Sequence, residues 1–94
     1  MRVRWLRKAL ANLDDAADYI AQDNPGAARV MVEEAFRLTD LLADNPSMGR
    51  LGRVPGTREL VMPRHPYIIP YRIRSGCVEV LRFFHAARRW PEML

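Results

Sequence analysis

Apolar residues recur every three or four positions in two stretches of the first half of the chain. The first stripe consists of Leu6, Leu10, Leu13, Ala17 and Ile20. The second stripe consists of Ala28, Met31, Ala35, Leu38 and Leu42. This period predicts two amphipathic helices, each with one face directed toward a core. Because only a short "DNPGAA" segment separates the stripes, we expect the helices to form an antiparallel hairpin.

Two proline-containing segments mark the boundaries of the second helix. Asn24 is a favourable N-cap residue, and Pro25 suits the first helical position because an N–H there would have no helical partner. "DNP" at residues 44–46 ends the helix, since a residue that precedes proline avoids helical geometry.

Short apolar runs typical of strands follow in the second half of the chain. "RVRW" at residues 2–5 predicts an opening strand, and "PSMGRLGRVPGTR" predicts a loop. After that loop the predicted strands are "ELVM", "YIIPYRIR" and "CVEVLRFF". Ser75 and Gly76 predict a two-residue hairpin turn between the last two strands, which places Arg74 opposite Cys77.

Alternate residues of this hairpin point to opposite faces of the sheet. The face expected to cover the helices carries Tyr67, Ile69, Tyr71, Ile73, Val78, Val80, Arg82 and Phe84. On the other face, Ile68, Leu81 and Phe83 would form an apolar patch suited to a partner. Alternatively, the loop at 46–57 or the C-terminal "RWPEML" folds over that patch. Pro70 conflicts with a central strand position and indicates a bulge.

These elements predict an α+β fold of order β-α-α-β-β-β, in which an N-terminal helical hairpin packs on a small, mainly antiparallel sheet. The sequence has no internal repeat, no low-complexity tract and no linker. We therefore expect a single domain over residues 1–94.

Composition narrows the class of protein. The chain is 49% hydrophobic and 28% charged, which is typical of a soluble globular domain. No apolar run approaches the ~20 residues of a membrane span, and "MRVRWLRKAL" lacks the apolar stretch of a secretory signal. Cys77 is the only cysteine, so no internal disulfide can form. We expect a cytoplasmic protein with no membrane partner.

Charge is divided unevenly along the chain. The half that ends at Asn45 has a net charge of −2, whereas the half from Pro46 onward has a net charge of +6. The second half should attract an anionic partner such as nucleic acid, the ribosome or an acidic protein segment. A generic basic RNA- or DNA-binding domain is therefore one interpretation.

Candidate catalytic chemistry is limited to basic side chains. The sequence has neither GxGxxG nor GxxxxGK[ST], and two histidines with one cysteine are too few for a structural zinc site, so we expect no cofactor and no metal. The basic candidates are Arg58, Arg72, Arg82, His85, Arg88 and Arg89. For RNA cleavage, His85 could act as acid or base, Glu59 or Glu79 as an alternative base, and the arginines could stabilise the phosphate.

Three segments together resemble the RelE/ParE superfamily of bacterial toxins: "DYIAQDNPGAA", "GRLGRVPGTREL" and "PYIIPYRI…CVEVLRFFHAARRWP". The resemblance runs nearly end to end. It implies the toxin half of a type II toxin–antitoxin module. RelE-like members are ribosome-dependent mRNA endonucleases, whereas ParE-like members inhibit DNA gyrase.

The resemblance favours the ParE-like branch. The RelE-like nucleases have an arginine in the strand that corresponds to "YIIPY", where this chain has Ile68. They also commonly have a tyrosine near the C-terminus, where this chain has Trp90. The resemblance implies binding to gyrase without catalysis, with the target-binding candidates Arg82, His85, Arg88, Arg89 and Trp90. If the chain were instead a nuclease, the catalytic candidates would be Arg58, Arg72, His85 and Arg88.

The resemblance also implies a ParD-like antitoxin with a ribbon-helix-helix N-terminus and a flexible C-terminal segment that folds on the toxin. We expect a higher-order toxin–antitoxin hetero-oligomer in which the antitoxin, not this chain, recognises DNA sequence. The candidate antitoxin contacts are Leu13, Ile20, Met31, Leu38, Ile68, Leu81 and Phe83.

Overall fold

The computed structural model describes residues 1–91 and 94. Strand β1 (Arg2–Trp5) leads into helices α1 (Arg7–Ala21) and α2 (Pro25–Asp40), followed by a 3-10 turn (Leu41–Ala43). The remaining strands are β2 (Arg50–Leu51), β3 (Arg58–Val61), β4 (Tyr67–Arg74), β5 (Cys77–Val80) and β6 (Phe84–His85). The order of elements agrees with the sequence prediction, with the short strands β2 and β6 in addition.

The strands form one mixed sheet in the order β1-β5-β4-β3-β2, and β6 pairs with β4 beyond the end of β5. All pairings are antiparallel except that of β1 with β5, which is parallel. The helical hairpin packs on one face of this sheet, and we call the opposite face the outer face. The predicted α+β architecture is confirmed.

The second helix begins where the sequence predicts. Asn24 caps it, with its side-chain oxygen accepting a hydrogen bond from the Ala27 N–H at 3.0 Å, and Pro25 takes the first position. Its regular part ends at Asp40, earlier than the predicted end near residue 44, because the chain tightens into the 3-10 turn there. In the first helix, Leu10 is 42% exposed, and Ala9 takes the predicted core position instead.

The hairpin between β4 and β5 has the predicted turn and register. Ser75 and Gly76 both have positive φ angles, 52° and 70°, as a two-residue turn matched to the twist of the strands requires. Arg74 lies opposite Cys77, and the pairing continues to Tyr71 opposite Val80.

A one-residue bulge then interrupts the strand that the sequence predicts over residues 77–84. Continued pairing would place Ile68 opposite Phe83, but Ile68 lies opposite Phe84. The interruption begins at Pro70, whose carbonyl accepts from the Leu81 N–H at 2.9 Å but which has no N–H to donate in return. The extra residue reverses the facing of the chain beyond Leu81.

The bulge corrects the predicted faces. Phe83 packs in the core beneath the helices, whereas Phe84 lies on the outer face with Ile68. The prediction that Arg82 and Phe84 cover the helices is therefore wrong. Ile73, predicted for the same face, is also not part of the core, since it is 45% exposed. The core is built from residues of the two helices, the 3-10 turn and the inner side of the sheet, namely Ala9, Leu13, Met31, Ala35, Leu42, Leu60, Met62, Tyr67, Ile69, Tyr71, Val78, Val80 and Phe83.

The exposed patch predicted from Ile68, Leu81 and Phe83 does not exist in the described part of the chain. All three side chains are buried, Phe83 on the helix side and the other two on the outer face. On that face Trp90 packs on Phe84, with ring centroids 4.8 Å apart, and the Arg53 guanidinium lies 3.5 Å from the centroid of the Trp90 ring. The alternative prediction is therefore the better one, with both the loop and the C-terminal segment forming the cover; residues 92 and 93 of "RWPEML" lie outside the described residues.

Among the described residues, no helix has both the length and the apolar character needed to cross a membrane.

Candidate functional site

A cleft of about 540 Å³ lies between α1 and the segment that follows β5. We call it the α1–β6 cleft. It is lined by Asn12, Asp15, Ala16, Tyr19, Tyr67, Phe83, His85, Ala87 and Arg88. Its floor is aromatic and its rim is charged, a combination that suits a partner with both an apolar and a polar group.

Asn12 holds the bulge against α1 and so shapes the cleft. Its side-chain oxygen accepts from the Phe83 N–H at 3.3 Å and from Arg82 Nε at 2.8 Å. The bulge frees a backbone N–H from the sheet ladder, and a buried N–H needs a partner. Asn12 supplies it, although the sequence prediction did not identify this residue.

His85 stands at the end of β6, at the rim of the cleft. Its Nδ1 accepts from the Ala87 N–H at 3.1 Å, and its ring meets Tyr67 edge-on with centroids 5.5 Å apart. The carbonyl of His85 accepts from the Arg88 N–H at 3.0 Å. A neutral ring with this bond carries its proton on Nε2, so the exposed edge of His85 is a hydrogen-bond donor.

Tyr67 lies on the floor of the cleft, stacked on Phe83 with ring centroids 4.7 Å apart. Burial raises the pKa of its phenol and nearby Tyr19 adds to that effect, while the positive charge of Arg88 opposes it. Tyr67 is therefore a neutral hydroxyl at physiological pH, able to donate a hydrogen bond but unsuited to act as a base. Tyr19, at 72% exposure, supplies the accessible aromatic surface of the cleft.

The five predicted target-binding residues divide into two groups. His85, Arg88 and Arg89 are exposed. Arg82 is half-buried and held by Asn12, with its guanidinium 4.7 Å from the centroid of the Phe84 ring. Trp90 covers part of the outer face through its contacts with Phe84 and Arg53. The structure therefore brings His85 and Arg88 together at one rim and directs Arg82 and Trp90 to internal contacts.

The alternative catalytic residues do not converge on one site. Arg72 lies on the outer face, where its Nε donates to Glu79 at 2.7 Å, and Arg58 donates from the opposite face to the carbonyl of Gly49 at 2.8 Å. His85 pairs with Tyr67 at the far end of β4. Arg72 is five residue steps, roughly 17 Å, from Tyr67 along β4, so Arg72 and His85 cannot share one phosphate.

Most of the predicted antitoxin contacts are interior residues. Leu13, Met31, Ile68, Leu81 and Phe83 are buried, and Ile20 and Leu38 are half-buried against the core. A stripe with helical period identifies the face that a helix buries, and here the chain's own sheet covers that face. The five buried residues offer almost no accessible surface to a partner in this structure, and their role as antitoxin contacts stays a prediction.

Glu59 anchors the loop that supports the Trp90 cover. Its carboxylate, 3% exposed, accepts from the Arg53 N–H at 2.9 Å, from Arg53 Nε at 3.2 Å and from Arg50 Nη2 at 3.0 Å. Burial by itself would raise the pKa of Glu59, but these hydrogen bonds outweigh burial and lower the pKa below its ordinary value. The carboxylate thus stays charged and holds Arg53 over Trp90.

The lowered pKa of Glu59 predicts a loss of stability in acid. Below about pH 4.5 the unfolded chain binds a proton at Glu59 before the folded chain does, so the free energy of unfolding falls toward the lowered pKa. Glu59→Gln should cost about 1 kcal/mol at pH 7, because both arginines can be rehydrated. The same substitution should also make the free energy of unfolding depend less on pH. Urea unfolding of both proteins between about pH 3 and 7 checks this, and parallel curves would contradict it.

The described residues contain no group of three or more His, Cys, Asp or Glu side chains placed to hold a metal ion.

Comparison with known proteins identifies the class of this chain. Residues 3–90 match the family described as the ParE toxin of the type II toxin–antitoxin system parDE. The chain is also similar to Y4kP of Sinorhizobium fredii, at 47% identity over 93 residues, covering 99% of this chain and 96% of that protein. It is 39% identical over 87 residues to Toxin RelE2 of Caulobacter vibrioides, covering 93% and 97%.

Solved structures agree with the sequence matches. The chromosomal ParDE system from P. aeruginosa includes a chain that superposes with a TM-score of 0.81 at 32% identity, covering 90% of this chain and 95% of that one. The intact E. coli RelBE complex gives a TM-score of 0.60 at 13% identity, with 93% and 98% covered, and shows the shared fold. The class is thus the toxin half of a type II toxin–antitoxin module. Within the RelE/ParE superfamily, the chain belongs to the ParE toxin family.

Proposed function

We propose that the chain inhibits DNA gyrase and thereby blocks replication. The observation that carries this proposal is the absence of a convergent catalytic set among the described residues, in a chain whose family match covers residues 3–90. Phosphodiester cleavage needs acid, base and cations within hydrogen-bond reach of one phosphate. Arg72 lies roughly 17 Å along β4 from the partner of His85, which supports action by binding rather than by cutting.

Ile68 supports the same interpretation. It is buried on the outer face, paired with Val61 and with Phe84, on which Trp90 packs. At this position the RelE-like nucleases have an arginine, and a branched apolar side chain cannot balance the charge of a phosphate. The surface that would hold an RNA phosphate is thus apolar and covered.

The proposed target surface is the rim of the α1–β6 cleft. His85 and Arg88 present donors there, beside the exposed ring of Tyr19. Arginine and aromatic side chains dominate the energies of protein interfaces when a partner removes them from water. Gyrase held at this rim would be trapped in a nonproductive state without any reaction on the toxin.

Arg88→Ala should raise the toxin concentration needed for half-maximal inhibition of gyrase by about tenfold, because an interface arginine contributes more than ~1 kcal/mol. Supercoiling assays with purified gyrase measure this value. Arg64→Ala, an equally exposed arginine after β3, is the matched control and should inhibit like the wild type. Equal inhibition by all three proteins would remove Arg88 from the target surface.

The competing function is ribosome-dependent mRNA cleavage, which is favoured by the likeness to a protein named RelE2. Radiolabel incorporation after induction separates the two functions. Early loss of DNA synthesis supports gyrase as the target. Early loss of protein synthesis, abolished by His85→Ala, would overturn the proposal.

A ParD-like antitoxin is the proposed neutralising partner, in the cytoplasm where gyrase acts. Likeness to a chain of a ParDE system supports this pairing. Because most of the predicted antitoxin contacts are buried, we propose that the antitoxin contacts exposed apolar side chains of the two helices and the 3-10 turn, including Leu10, Tyr19, Val30 and Leu41. Such a segment would fold as it binds and build a higher-order hetero-oligomer.

A further inference from the structure

Four arginines form a compact group on the outer face, at the turn end of the β4–β5 hairpin. We call this group the arginine surface. It consists of Arg2 and Arg4 on β1 and Arg72 and Arg74 on β4. The two strands flank β5, so Arg2 and Arg74 lie on either side of Cys77, and Arg4 and Arg72 lie on either side of Glu79. Because Val78 and Val80 fill the core, the alternate residues Cys77 and Glu79 point outward with the arginines.

The arginine surface keeps a strong positive charge. Glu79 accepts from Arg72 Nε at 2.7 Å and lies 3.8 Å from Arg4 Nη2. In the part of the chain that the structure describes, Arg2 and Arg74 have no ion pair. Four guanidinium groups and one carboxylate leave a net charge of +3 in a small area. Glu79 holds two of the guanidinium groups in place without neutralising the positive charge of the arginine surface.

The spacing is regular because strands carry the charges. Two residues along one strand separate the arginines by about 7 Å, and the intervening strand separates the pairs by about 10 Å. Guanidinium groups donate two parallel hydrogen bonds to a phosphate, which a lysine cannot do. A rectangle of such groups, carried on the strands of one sheet, fits an extended polyanion with evenly spaced charges.

The uncharged residues that line this surface indicate that its partner is a nucleic acid rather than an acidic peptide. The shallow depression here, about 280 Å³, is lined by Ser75, Gly76 and Cys77 besides the charged residues. A protein segment gains most of its affinity from apolar side chains seated in pockets, and no such pocket lies in this depression. A phosphodiester backbone needs only the cations.

We propose that the arginine surface binds the phosphodiester backbone of nucleic acid without reading its sequence. The surface is distinct from the α1–β6 cleft: it lies on the other face of the sheet and at the opposite end of β4. The proposal therefore does not depend on the identity of the toxin's target.

The test measures binding of the purified full-length chain to a labelled DNA duplex of about 20 base pairs and to an RNA duplex of equal length, by anisotropy between about 50 and 200 mM salt. Each phosphate contact adds about −0.9 to the slope of log K against log salt. Arg2→Gln/Arg74→Gln should make the slope shallower by about 2 and lower affinity at least ~10-fold at 50 mM salt. Glu79→Gln should tighten binding, because it removes the one negative charge.

Arg29→Gln/Arg37→Gln is the matched control, since it removes the same net charge from helix α2. It should change the slope by less than half as much. Binding of DNA and RNA alike supports a shared backbone site, and binding of one duplex alone assigns the site to that polymer. An equal loss in the control pair, an unchanged slope in the Arg2/Arg74 pair, or polyglutamate binding as tight as that of the duplexes would overturn the proposal.

Discussion

Replacing Tyr71 with phenylalanine is expected to lower the free energy of unfolding by about 3 kcal/mol. Tyr71 is completely buried, and its hydroxyl donates to the carbonyl of Pro46 at 2.7 Å while it accepts from the Gly49 N–H at 2.8 Å. Phenylalanine keeps the packing but leaves both backbone groups without this partner. Each unpaired group costs about 1–3 kcal/mol where water cannot replace it.

Thermal and urea unfolding would measure this loss. For a domain of this size, 3 kcal/mol corresponds to a fall in Tm of roughly 12–24 °C. Tyr19→Phe is the matched control, because that ring is exposed and its hydroxyl should contribute little. A loss below about 1 kcal/mol would mean that the hydroxyl does not hold the segment from Pro46 to Gly49. Gly49 itself has no room for a side chain, since a Cβ would lie 2.6 Å from the Tyr71 ring.

The Trp90→Ala variant should lose about 2 kcal/mol, less than a fully buried tryptophan because Trp90 is half-buried. The change removes the packing on Phe84 and the contact with the Arg53 guanidinium. It should also expose Ile68 and Phe84 to water. Urea unfolding and binding of an apolar dye measure these two effects, and Trp90→Phe should recover most of the stability.

Variants at Trp90 also test whether this residue covers the outer face or contacts the target. Arg89→Ala changes an exposed neighbour and should unfold like the wild type. If Trp90→Ala kept full stability but no longer inhibited gyrase, Trp90 would be a target contact and our assignment as a cover would be wrong.

The features of the fold that depend only on neighbouring residues could be predicted from the sequence. Asn24 with Pro25 set the start of α2, and Ser75 with Gly76 set the hairpin register, because each effect involves only neighbouring residues. The features that were missed depend on distant partners. The parallel pairing of β1 with β5 has no local signal, and the position of the bulge depends on how Pro70 meets Leu81 across the ladder.

The candidate site was only partly predictable for the same reason. His85 and Arg88 stood out by their chemistry, whereas Tyr67 had been assigned to the core and Tyr19 lay on the polar face of a helix. Asn12 could have been noticed as an amide beside the apolar stripe of α1, but its role exists only because the bulge leaves an N–H to satisfy. Local pattern alone leaves open whether the patch of Ile68 and Leu81 is exposed or covered, because its cover comes from remote segments of the chain.

Because the segment between Val80 and Phe84 contains one extra residue, its length is as important as its composition. Deleting one codon from 81–83 would leave two residues on each strand between the Tyr71–Val80 and Ile68–Phe84 pairs, so the ladder could run on without a bulge while Phe84 and His85 keep their partners and faces. Such a deletion would instead remove the bulge that Asn12 holds against α1, and with it the contact that shapes the α1–β6 cleft. Any redesign of this toxin that aims to move or keep its binding rim must therefore count residues here before choosing them.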